Sequence, residues 1–187
     1  MTNETAIIGC ILGTAVGDPL GLAYEGMSPN RARILLGSPD RYRFVFGRGM
    51  ISDDTEHACM VSQSLIESGD NVQAFTRRFA SRLRWWILAL PAIECGGDAD
   101  TTAAIVGGIV GARVGKEGIP AELISGIWEW PRNVTWMESL GAALSQAWPS
   151  SPTSRAPSAN PIAVVLRNLV FLAIVLCQGF RRLGLPY

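Results

Sequence analysis

The sequence predicts an all-α fold, and three observations carry that expectation. Apolar residues recur at helical spacing along most of the chain, and no segment sustains the period-two alternation of a half-buried strand. Serine, asparagine, aspartate or proline heads most of the apolar runs, where the N–H groups of a helix start lack intrahelical partners. Glycine or proline closes most of them. With 187 residues the chain is long enough for one domain with a real core, and short for two.

The first helix carries Ile7, Ile8, Ile11, Leu12 and Ala15 as a stripe, with glycines between them that let another helix approach closely. Residues 26–50 contain Pro29, Gly37, Pro39, Gly47 and Gly49, and read as loop with one helical turn at Arg31 to Leu36. Ser52 caps a second helix carrying Ala58, Val61, Leu65 and Ile66, ended by Gly69. Asn71 starts a third, with Phe75, Phe79, Leu83, Trp86 and Leu90 inward and Pro91 as its stop. Asp98 or Asp100 opens a fourth through Ile105, Ile109 and Ala112, ending near Gly115. Pro120 suits the first residue of a short fifth helix reaching Trp130, and Asn133 to Trp148 is a sixth. Residues 1–148 therefore form the helical domain. Residues 149–160 turn to Pro, Ser, Thr and Ala, the composition of a flexible linker, and 161–187 hold an apolar terminal helix and tail.

Composition excludes several classes of function. Net charge is zero and no basic run exceeds a pair of arginines, so nothing points to nucleic acid. The four cysteines lack Cys-x-x-Cys spacing, and three sit in apolar helical patterns that read as buried free thiols. A reducing cytoplasm is the expected location. The N-terminus has Glu4 and no basic stretch before its apolar run, unlike a signal peptide. In the terminal helix the uninterrupted apolar core, Leu169 to Cys177, falls short of the roughly 20 residues that span a bilayer, and Arg167 and Asn168 interrupt it. A buried or interfacial helix is expected there, with docking of that helix on a membrane surface as the weaker reading. His57 reads as an exposed or partly packed helix residue, and the six tryptophans as core.

Chemistry concentrates in two acidic clusters. Ser52-Asp53-Asp54-Thr55 heads one helix, and Asp98-Ala99-Asp100-Thr101, after Gly96-Gly97, heads another. Each packs two carboxylates and a hydroxyl into about one helical turn, the hard oxygen donors that Mg²⁺ prefers. A fold that joins the two helix starts would bring four carboxylates together, a repulsive arrangement without cations. Either cluster alone has an ordinary alternative: a serine cap with acidic residues in the first turn complements the helix dipole and involves no metal.

The clusters also carry a resemblance. Ser52-Asp53-Asp54-Thr55 resembles the first metal motif of the ADP-ribosylglycohydrolase family, and Gly96-Gly97-Asp98-Ala99-Asp100-Thr101 resembles its second. Gly9 to Gly21, with Gly13, Gly17 and Asp18, is similar to the family's N-terminal Gly-x-x-x-Gly-Asp-x-x-Gly helix, and Tyr24-Glu25 stands where members carry a mobile flap glutamate. The resemblance implies a compact orthogonal helical bundle, here shortened. It implies two Mg²⁺ ions (Mn²⁺ in some members) held by Ser52, Asp53, Asp54, Asp98, Asp100 and Thr101. Glu25, Asp53 and Asp100 are the residues it assigns to catalysis, and Asp18 reads as a structural anchor. The implied activity is hydrolysis of an ADP-ribosyl linkage on a modified protein or an ADP-ribose-containing small molecule. One departure stands out: the family's central segment has no counterpart, and the chain passes from Leu90-Pro91 directly to Ile93-Glu94-Cys95-Gly96. That shortening raises a second reading, a remnant without catalysis that serves as a scaffold or has no function.

Overall fold

The first helix, α1 (Asn3–Leu22), starts where the Thr2 side chain accepts a hydrogen bond from the N–H of Thr5, 3.2 Å away. The computed structural model describes residues 2–44, 46–89, 99–149, 152–153 and 155–183. Asp98, Gly96-Gly97 and the shortened junction at 91–93 lie outside the described residues. Among the described residues the fold is all-α, with a single isolated bridge between Gly49 and Ile127.

Glycine decides how α1 packs. It runs antiparallel to α5 (Ala99–Val114), with Gly9, Gly13, Gly17 and Gly21 set against Gly111, Gly107, Ala103 and Ala99. A Cβ at Gly13 would lie 2.0 Å from the carbonyl oxygen of Gly107, so the two backbones touch. The close approach expected of the α1 glycines is thus present. The periodic apolar residues of α5 do not face α1. Asp100, Ala104, Gly108 and Gly111 turn inward, and Ile105 and Ile109 are 58 % and 67 % exposed. A backbone-on-backbone contact has no room for branched side chains, so they are left on the outside.

Two further elements differ in extent from the sequence reading, and one is additional to it. The turn expected at Arg31 to Leu36 is a helix, α2 (Pro29–Leu36), capped by the Ser28 hydroxyl with Pro29 in its first turn. Helix α6 (Ala121–Gly126) ends four residues short of Trp130, with Pro120 as its cap residue, because the chain leaves the helix to pair with residue 49. Gly49 N–H donates to Gly126 at 3.0 Å and Trp128 N–H donates to Gly49 at 2.7 Å. Between α5 and α6 lies a 3-10 turn, Lys116–Gly118.

Helix α3 (Asp53–Ser68) starts at Ser52 and ends at Gly69, whose φ of 57° favours glycine, as expected. Its inward face mixes Cys59, Met60 and Ile66 with polar residues. Ser62, Ser64 and Ser68 are buried because each hydroxyl donates to a carbonyl one turn back, at 2.7–2.9 Å. Helix α4 (Val72–Ala89) is capped by Asn71 and packs on α3, with Phe75 and Phe79 half-buried and stacked 5.7 Å apart. Helix α7 (Val134–Ala147), capped by Asn133, contributes Met137, Leu140, Leu144 and Ala147 to a core shared with Ile11, Leu12, Ile51, Cys59 and Ile66.

The described part of 149–160 lies along α3. Thr153 N–H donates to Ile66 at 3.0 Å, Gln63 donates to Pro157 at 2.6 Å, and Ala156 is buried. Helix α8 (Pro161–Leu183) then packs Phe171, Ile174 and Val175 on Leu22, Phe44 and Met50. Its 23 residues exceed the apolar core read from the sequence, and by length and composition it could cross a membrane. Arg167 and Asn168, read as interruptions, are 3 % and 4 % exposed and buried against protein. Of the described tryptophans, Trp136 packs against the core beneath the Arg132 guanidinium at 5.9 Å, as expected, whereas Trp128 and Trp148 are exposed, contrary to a core role.

Candidate functional site

The two acidic clusters meet. Helix α3 and helix α5 bring their N-termini together, and the Thr101 hydroxyl donates to Asp54 Oδ1 at 3.1 Å. Asp100, 7 % exposed, accepts from the N–H of Thr101 at 3.0 Å. Thr101 therefore sits between the Asp54 and Asp100 carboxylates. Ser52 caps α3 by accepting from Asp54 N–H at 3.4 Å. Asp53 is exposed on the first turn of α3, and Glu25 is half-buried in the turn after α1, where its N–H donates to Leu22 at 3.4 Å.

Beneath the cluster lies Asp18, fully buried. Its Oδ2 accepts three hydrogen bonds: from Ser52 N–H at 2.9 Å, Thr55 N–H at 3.2 Å and the Thr55 hydroxyl at 2.5 Å. Oδ1 has no hydrogen-bond partner among the described residues. Burial raises the Asp18 carboxyl to about 7; the bonds from Thr55 and Ser52 oppose that shift, and the nearby Asp54 charge adds to it. Asp18 thus anchors α1 to the start of α3, a wider role than holding its own glycine-rich turn.

The other side of the same helix start is held by ions that the sequence reading left unassigned. Glu129, 8 % exposed, follows α6 and forms a bidentate pair with Arg167 of α8, Nε to Oε1 at 2.8 Å and Nη2 to Oε2 at 2.6 Å. Burial pushes the Glu129 carboxyl up, and the Arg167 guanidinium pulls it back. A second buried pair joins Arg132 to Glu56 of α3 at 2.7 Å. Glu129 stands between two tryptophans and Arg167 in an apolar run of the sequence, and that misplacement is the signal that marks the first pair; Glu56, in a polar run, carries no such signal.

The donors assembled at the α3–α5 junction are oxygens, which suits a hard divalent cation and disfavours softer metals. Among the described residues no group of three or more His, Cys, Asp or Glu is placed to hold a metal ion, and Asp98 lies outside them. What the described residues offer a divalent cation is therefore their oxygen chemistry and the joining of the two motifs.

Comparison with known proteins supplies the family. The ADP-ribosylglycohydrolase family model matches residues 1–90 and 88–153. An uncharacterised protein of Archaeoglobus fulgidus is 31 % identical over 149 residues, covering 77 % of this chain and 42 % of its own length. The chain thus spans less than half of that relative. No solved structure matches significantly. With three motifs in order, two of them joined in space, and a family match over most of its length, the chain belongs to the ADP-ribosylglycohydrolase family.

Proposed function

We propose that this protein is a Mg²⁺-dependent hydrolase that cleaves an ADP-ribosyl linkage on a modified protein or an ADP-ribose-containing small molecule. The observation that carries the reading is the hydrogen bond from Thr101 to Asp54, which ties the first acidic motif to the second. Ser52, Asp53, Asp54, Asp100 and Thr101, with Asp98, are the residues that would hold two Mg²⁺ ions, or Mn²⁺ in their place. When bound, such ions supply a more acidic water and a fixed geometry for the ribose next to the scissile bond. Asp54 and Asp100 draw the cations to the junction, and Asp53, at the exposed edge, faces the solvent from which substrate arrives. Glu25, on the turn after α1, is placed in the proposal as the carboxylate that closes over the site.

Two measurements test it. ADP-ribose release from mono-ADP-ribosylated peptides should depend on Mg²⁺ and be abolished in Asp100→Ala. In parallel, the wild-type melting temperature should rise with Mg²⁺, because binding to the folded form alone adds about 2.7 kcal/mol at a hundredfold excess over Kd. Asp54→Asn should remove most of that rise and raise stability in chelator, since it relieves like-charge repulsion. A wild-type melting temperature indifferent to Mg²⁺ and Mn²⁺ ends the metal reading. Metal binding without any ADP-ribose release favours the second reading, a non-catalytic scaffold, which the exposed apolar faces of α5 and α8 also suit.

A further inference from the structure

Helix α8 lies beyond the segments matched by the family model, which end at residue 153, yet it reaches the edge of the proposed metal site. The contact is made through one peptide group. The carbonyl of Ile51 accepts a hydrogen bond from Arg167 Nη2, and the N–H on the other end of that peptide, Ser52 N–H, donates to Asp18 at 2.9 Å. The peptide plane is rigid, so a cation on its oxygen and a carboxylate on its N–H fix its orientation from both ends. Glu129 completes the grip, binding Arg167 through both oxygens while Oε2 also accepts from Ile51 N–H at 3.3 Å. Asn168 and the ring of Phe171, 4.7 Å from the guanidinium carbon, hold Arg167 from its own helix. Ser52, the next residue, caps α3 and belongs to the first acidic motif.

We propose that Arg167 and Glu129 are positioning residues: they lock the Ile51–Ser52 peptide and so set the first acidic motif for cation binding. The proposal rests on the metal reading for its purpose and on the geometry of the clamp for its mechanism. Arg167→Lys keeps the charge but loses the planar fork that serves Glu129 and Ile51 together. Glu129→Gln keeps the shape and weakens the pair. Arg82→Gln, at the far end of α3 where Arg82 pairs with Glu67 at 2.8 Å, is the control for general loosening of that helix.

Amide hydrogen exchange of the full chain reads the clamp directly. Arg167→Lys and Glu129→Gln should each speed exchange across residues 50–56 by about tenfold, with α7 unchanged, and Arg82→Gln should not. Unchanged exchange at 50–56 in both variants overturns the proposal, whether or not the protein binds metal. Manganese binding followed by electron paramagnetic resonance then reads the purpose. The Mn²⁺ Kd should rise about tenfold in Arg167→Lys and stay at the wild-type value in Arg82→Gln. If wild type binds Mn²⁺ and Arg167→Lys binds it equally well, the positioning role is overturned and the metal reading stands. If wild type binds none, the metal reading falls and with it the purpose assigned to the clamp.

Discussion

A buried carboxylate that receives three hydrogen bonds through one oxygen depends on each of them, and Asp18 is such a group. Replacing Thr55 by valine keeps the volume and the N–H bond but removes the 2.5 Å hydroxyl contact. The carboxylate is then left underbonded in a site with no access to water, which costs about 1–3 kcal/mol. Thr55→Ser restores the hydroxyl and should recover most of that loss. Urea unfolding of the three proteins checks this, and equal midpoints for wild type and Thr55→Val would show that Asp18 does not rely on Thr55. At this scale much was legible. The paired acidic motifs announced a junction, because carboxylates and hydroxyls at a helix start are a local signal. The Glu129–Arg167 pair was not legible, since 38 residues separate its members and no local rule pairs them. Only their positions, a carboxylate between Trp128 and Trp130 and an arginine in an apolar run, hinted that each needs a buried partner.

Among the helices, starts were easier to read than faces. Ser52, Asn71 and Asn133 each cap the helix expected of them, since capping depends on a few consecutive residues. The inward face of α5 was not legible, because an apolar stripe is ordinarily the buried one, and here a ridge of small residues displaces it. That inversion makes a paired expectation. Gly13→Ala drives a methyl to 2.0 Å from the backbone of Gly107, where no side chain can swing away, and should cost 1–3 kcal/mol or more, about the range for overpacked cores. Gly179→Ala in α8 meets nothing within 4 Å and should be neutral or gain up to about 1 kcal/mol from helix propensity. Thermal melts of the two variants decide it. Similar effects from both would mean that α1 and α5 are not in backbone contact.

For the molecule as a whole, the consequence of that packing is an unusual surface. Ile105, Val106, Ile109 and Val110 on α5 are all more than half exposed. Beside them an open groove of about 410 Å³ runs between α1 and α5, lined by Val16, Leu20, Tyr24, Pro39, Val106 and Val110. The two family matches meet at residues 88–90, beside the junction at 91–93 where the sequence reading expects the family's central segment to be missing. Each large apolar side chain left uncovered forgoes about 1.5–3 kcal/mol. Contiguous apolar surface of this kind binds hydrophobic dyes and promotes association. The double variant Ile105→Glu with Ile109→Lys places an opposite-charge pair one turn apart on the exposed face, in the favourable order. Because both side chains are already mostly in water, stability should stay within about 0.5 kcal/mol of wild type, as for ordinary surface changes. Binding of the dye anilinonaphthalene sulfonate should fall, and solubility should rise. A loss of about 2 kcal/mol or more would instead mean that these isoleucines are covered in solution. The face would then belong to an interface, either with another copy of the chain or with a further segment, because a charge introduced at an open surface has nothing to desolvate it.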